Sequence, residues 1–108
     1  MIRSVRSGVI VVFNDVAYGA ELHQYASRGL DSEAMLIDEV DFAAVGRALG
    51  AEGIKARSLA DLDGLKDWIT SGCKGVFVLD VPVSQTVIAE YMAESMQGIL
   101  SPASIPTK

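Results

Sequence analysis

Apolar positions in this chain fall into a few short runs, joined by segments whose apolar residues recur at helical spacing. Val9–Phe13 is β-branched and aromatic with no polar alternation. That pattern predicts a strand buried on both faces, as in a parallel sheet covered by helices. Asn14-Asp15 ends the run, and Tyr18, Leu22 and Tyr25 then recur at helical spacing up to Gly29. Residues 27–40 have no clean period and read as a connecting loop. Asp41 has the chemistry of an N-cap, with Phe42, Val45 and Leu49 on one helical face and Gly50 as the stop. Ile54–Arg57 reads as a short strand. Ser58-Leu59-Ala60-Asp61 approximates a capping box with Asp in place of Glu. Leu59, Leu62, Leu65 and Ile69 form the buried stripe of the helix it opens, which ends near Gly72. Gly75–Val81 is a second apolar strand, closed by Asp80 and Pro82. Ser84 caps a last helix that turns Val87, Ile88, Tyr91 and Met92 inward. From Gly98 the tail has two prolines and no period, which predicts poor order.

Strands alternating with helices predict the α/β class, with a parallel sheet flanked by helices. Three strands are few against the usual five or six or so, and both strong strands expect neighbours. The chain therefore reads as part of a larger fold. Residues 1–97 form a partial α/β domain and residues 98–108 a poorly ordered tail.

Composition narrows the function classes. The 108 residues are 50% hydrophobic, with a net charge of −5, a pI near 4.6 and a mean hydropathy of +0.32. Nine scattered Lys and Arg residues form no basic stripe, which argues against nucleic acid. No apolar run approaches the ~20 residues of a membrane span. One cysteine, Cys73, excludes an internal disulfide and fits a reducing cytoplasm. An apolar-rich chain of this length invites a homo-oligomer or a covering partner.

Ligands of open α/β sheets sit at the carboxyl ends of strands, so Asn14-Asp15 is where a function is expected. Val11-Val12-Phe13-Asn14-Asp15-Val16-Ala17-Tyr18-Gly19 resembles the closing half of the cofactor motif of thiamine-diphosphate-dependent enzymes. Asp41–Ala51 and Gly75–Val81 resemble a later helix and the last strand of the same domain. The likeness covers nearly all of residues 8–96 and is to the acetolactate synthase, pyruvate decarboxylase and benzoylformate decarboxylase superfamily. It implies a thiamine-diphosphate-binding-like fold lacking its first strands, and 2-keto acid decarboxylation or carboligation.

By position, the resemblance implies that the Asp15 carboxylate and the Ala17 main-chain carbonyl ligate Mg²⁺, a hard cation that takes oxygen ligands. Asn14, Tyr18 and Gly19 would contact thiamine diphosphate, and Glu21 falls where some members carry a catalytic glutamate. Asp15 departs from the family's more usual amide. Gly-Asp-Gly, which opens the family's motif, occurs nowhere in the sequence. The domain that supplies the family's activating glutamate is missing too. The chain alone is thus expected to be inactive, and a 2-keto acid substrate is expected only if the rest of the enzyme is supplied.

The same residues have plainer roles. Asn and Asp are favoured in the turn between a strand and a helix, and the helix dipole alone favours Glu21 in a first turn. His23 has no second ligand at metal spacing, and Trp68 reads as a partly buried packing residue. The rival function is a non-catalytic α/β interaction module that assembles through exposed apolar sheet edges or faces.

Overall fold

A computed structural model describes residues 2–100. Strand β1 (Ser7–Asn14) leads to helix α1 (Gly19–Ser27), a 3-10 turn at Glu33–Met35, and helix α2 (Phe42–Ala48). Strand β2 (Glu52–Lys55), a 3-10 turn at Leu59–Leu62 and helix α3 (Asp63–Thr70) follow, then strand β3 (Gly75–Pro82) and helix α4 (Glu90–Leu100). The three strands form one parallel sheet in the order β1-β3-β2. The α/β class and the parallel sheet are as the alternation of elements predicts. Among the described residues no helix is long and apolar enough to cross a membrane.

The chain divides into two compact units. The first comprises the chain up to Val16 together with Asp38–Val83, and it contains the whole sheet. The second comprises Ala17–Ile37 and the chain from Ser84.

In the first unit β3 is the central strand, and its apolar run is buried on both faces. Val76 and Val78 pack with Ala51, Ile2, Val5 and Ile10. Phe77 and Leu79 pack on the opposite face with Trp68, Leu62, Leu65 and Ile54. The Trp68 and Phe77 rings lie 5.7 Å apart, and the Trp68 indole N–H donates to the Lys74 carbonyl at 3.0 Å. Two apolar clusters against one strand demand helices on both sides, and α2 and α3 fill those places.

Helix α2 starts as expected, with the Asp41 carboxylate accepting the Ala44 N–H at 2.9 Å. Its buried face differs from the expected one. Ala43 and Gly46 are buried, whereas Val45 and Leu49 are exposed. The reason is distance: a Cβ at Gly46 would lie 2.6 Å from Val78 Cγ2, so the helix backbone sits directly on the strand and large residues are turned aside.

Three further expectations for this unit are corrected. β1 alternates rather than being buried on both faces, leaving Val9, Val11 and Phe13 exposed. It is an edge strand, and α3 covers β3 and β2 without reaching across it. The second strand lies at Glu52–Lys55, two residues earlier than its apolar pattern suggests. Leu59 is 85% exposed and Ile69 is exposed too, because a 3-10 turn precedes α3 and shifts the register, so that Trp68 becomes the anchor. The capping box itself is present, with the Asp61 carboxylate accepting the N–H groups of Ser58 (3.0 Å) and Arg57 (2.8 Å).

In the second unit the expected loop is partly ordered by backbone bonds. Tyr18 N–H donates to the Met35 carbonyl at 2.8 Å, and Ala17 bridges Leu36 in antiparallel fashion. The last helix begins at Glu90 rather than after Ser84, whose hydroxyl instead pairs with Thr86 at 2.8 Å. Val87, Ile88 and Tyr91 are exposed, not inward. The helix continues through Leu100, past the expected start of the tail at Gly98, and residues 101–108 lie outside the described residues.

Candidate functional site at the carboxyl end of the sheet

Parallel pairing places the carboxyl ends of β1 and β3 side by side, with Asn14 in register with Pro82. The side chain that organises this end is Asn14, which is buried. Its Nδ2 donates to the Val40 carbonyl at 3.0 Å and, at 3.5 Å, to Asp80 Oδ2. Its Oδ1 accepts the Val16 N–H at 3.2 Å, closing a tight Asx turn. One amide thus ties together the strand end, the segment leading into α2, and the turn that leaves the sheet.

Asp80 is wholly buried. Its Oδ2 also accepts the Phe42 N–H at 3.0 Å, at the start of α2, while Oδ1 has no hydrogen-bond partner among the described residues. A buried carboxylate needs donors, and here one backbone N–H and one amide supply them. Sequence reasoning took Asp80 only as the close of a strand. The available signal was a carboxylate inside an otherwise apolar run, Val76–Val81, which has to meet a partner if the strand is buried.

The turn after β1 is strained. Val16 has φ 57°, a left-handed conformation that a β-branched residue adopts only under constraint. Asn14 provides that constraint through the Val16 N–H. Cys73 also has positive φ, at the ordinary exit of α3 beside Gly72.

The expected site residues fall in both units. Asn14 and the half-buried Asp15 belong to the first. Ala17, Tyr18, Gly19 and Glu21 belong to the second. There Tyr18 is exposed and precedes α1, Gly19 opens that helix, and Glu21 is exposed in its first turn. The amide of Asn14 is committed on both of its atoms to the protein itself. Among the described residues no three His, Cys, Asp or Glu side chains group closely enough to hold a metal ion. The carboxylates of the first unit at this strand end, Asp15 and the buried Asp80, therefore do not compose a full octahedral Mg²⁺ shell among the described residues.

Beyond this end of the sheet, Glu39 forms ion pairs with Lys55 (2.6 Å) and Arg57 (3.0 Å). Its carboxyl is held below the usual glutamate range by the Lys55 hydrogen bond first and the Arg57 bond second. Asp61 is likewise lowered, chiefly by the Arg57 N–H and then by Ser58. Groups with lowered folded-state values contribute stability above the ordinary carboxylate range and lose it as pH falls through the lowered values. Urea midpoints should therefore fall between neutral pH and about pH 3, and Glu39→Gln should flatten part of that slope. An unchanged slope in Glu39→Gln would show that the ion pairs add nothing, as many exposed pairs do.

Comparison with protein-family models, with curated proteins and with solved structures gave no match to this chain.

Proposed function

We propose that this chain is the carboxyl-terminal part of a thiamine-diphosphate-binding α/β domain, from a 2-keto acid decarboxylase or carboligase of the acetolactate synthase type. In this reading the Asn14-Asp15 strand end is its contribution to a split Mg²⁺ and diphosphate site, and residues beyond this sequence supply the other half. The observation that carries it is the strained turn at the carboxyl edge of the parallel sheet, where Val16 is held at φ 57° by the buried Asn14. Such strain costs about 1–3 kcal/mol and gathers where ligands bind, and the carboxyl edge is where open α/β sheets bind them. The resemblance of residues 11–19 to the family motif names the ligand.

Two measurements test it. Calorimetric titration of the 108-residue chain with thiamine diphosphate and Mg²⁺ should give no binding heat. Micromolar affinity would overturn the split site. The coding sequence upstream of Met1 should hold an in-frame Gly-Asp-Gly about one helix and a loop before Val9. An in-frame stop without that motif would overturn the fragment reading.

A second reading, the self-associating non-catalytic module, is favoured by a different observation. Val11, Phe13, Leu59, Leu62 and Val81 line an open groove of about 470 Å³ on the α3 face of the sheet. Phe13 is 73% exposed there. Apolar surface gathered at one strand is the usual mark of a contact surface.

A further inference from the structure

The two edges of the sheet are built differently. Ala56 N–H donates to the Asp80 carbonyl, so the alternate residues Gly53 and Lys55 turn their main-chain groups to the open side of β2. That edge is guarded: the strand has four residues, Glu52 and Lys55 are charged, and Arg47 covers the Gly53 carbonyl at 2.8 Å. β1 has none of these devices. Its eight residues, Ser-Gly-Val-Ile-Val-Val-Phe-Asn, include no charge and no proline, and β3 is its one strand partner among the described residues.

The carbonyls of Arg6 and Asn14 accept from Gly75 and Val83, so the even-numbered residues face β3. Ser7, Val9, Val11 and Phe13 therefore turn their main-chain N–H and C=O groups to the open side. These are the same residues whose side chains stand on the bare face.

We infer that the open edge of β1 pairs antiparallel with β1 of a second copy, about a two-fold axis at Val11. This rests on the self-association reading and adds the interface and its register. Antiparallel pairing centred on Val11 sets Val9 of each copy opposite Phe13 of the other, a β-branched and aromatic pair of the kind that stabilises sheets. It also lets Val9, Val11 and Phe13 exchange main-chain hydrogen bonds, because their polar groups already point outward.

Charge decides the direction. Arg3 and Arg6 precede the strand and Asp15 follows it. In this register Ser7 lies opposite the partner's Asp15, so each basic end meets an acidic end, whereas parallel pairing would set like beside like. A neutral edge also lets copies of net charge −5 approach there rather than elsewhere. The two sheets become one continuous sheet, and the two bare apolar faces join. A two-fold contact of this kind is closed, so it ends at a dimer.

Sedimentation velocity on the full chain should show a dimer. In a Cys73→Ser background, Val11→Cys should form an intermolecular disulfide under mild oxidation, since the facing Cα atoms would be about 5.5 Å apart. Ile10→Cys, on the other face and off the axis, should not. Val11→Lys sets two ammonium groups opposite each other and should weaken the dimer about tenfold or more. Its fold is checked by Trp68 fluorescence. A monomer at all concentrations would overturn both this interface and the self-association reading. A dimer that neither cross-links at Val11 nor responds to Val11→Lys would overturn this interface alone.

Discussion

Replacing Asn14 by aspartate is expected to destabilise the sheet unit severely near neutral pH and to spare it in mild acid. In the native chain Nδ2 of Asn14 donates to the Val40 carbonyl at 3.0 Å and approaches Asp80 Oδ2 at 3.5 Å. An aspartate puts an acceptor in that place, facing the Val40 carbonyl and the buried Asp80 carboxylate. Two unit charges at this separation repel by about 4 kcal/mol even in an effective dielectric near 20. The lost donor leaves the Val40 carbonyl unpaired, for about 1–3 kcal/mol more. Together these rival the ~5–15 kcal/mol that holds an ordinary domain.

The repulsion is escaped only when the carboxyl pair holds a proton, so the folded variant binds that proton above the ordinary ~3.9 of an unfolded aspartate. A raised value means that stability is kept below the unfolded-state value and lost as pH rises through the folded one. Denaturation midpoints of Asn14→Asp should thus approach those of the native chain near pH 4 and fall steeply toward pH 7, to within about a unit. Asn14→Ala, which removes the bonds without adding charge, should lose about 1–3 kcal/mol with little pH dependence. An Asn14→Asp variant as stable as the native chain at neutral pH would show that the Asn14–Asp80 contact carries no weight.

That contact also marks where sequence reading reached and where it stopped. The run Gly75–Val81 was legible as a strand buried on both faces because both are apolar, and both are in fact covered, although its central place in the sheet was not legible. The identical pattern at Val9–Phe13 misled, because an apolar run reports what a strand could bury and not whether a neighbour is present to bury it. Asp41 and the Ser58–Asp61 box were legible because capping is local chemistry within four residues or so. Helix faces were not: Ala43 and Gly46 won over Val45 and Leu49 through a close approach to Val78 that lies far along the chain. Trp68 displaced Leu59 for a similar reason, since only the three-dimensional register of α3 sets which residue reaches Phe77. At the candidate site, Asn14-Asp15 stood out as the polar end of an apolar strand. Its tie to Asp80 spans 66 residues, and no local pattern encodes a separation of that kind.

The second large effect is expected at Gly46. A Cβ there would meet Val78 Cγ2 at 2.6 Å, closer than such atoms sit, and Val78 Cβ at a tight 3.0 Å. Val78 cannot swing away: it is β-branched, buried, and packed with Val76 and Ala51 on the same face. Gly46→Val should therefore cost about 3 kcal/mol or more, through displacement of α2 from the sheet. Gly46→Ala tests the cause more finely. Alanine favours the helix by about 1 kcal/mol over glycine, so a net loss can come only from the clash. Val78→Ala opens a cavity and should cost about 2 kcal/mol by itself. Combining the two lets the new methyl enter the space left by the valine, and the pair should be more stable than the sum of the single losses by about 1–2 kcal/mol. Urea denaturation followed by fluorescence of Trp68, the chain's one tryptophan, measures all three. Single losses that simply add, within about 0.5 kcal/mol, would mean that α2 does not rest on Val78. The Phe42 N–H that Asp80 accepts belongs to the same helix. A displaced α2 should therefore loosen the Asp80–Asn14 junction as well, and with it the turn that holds Val16.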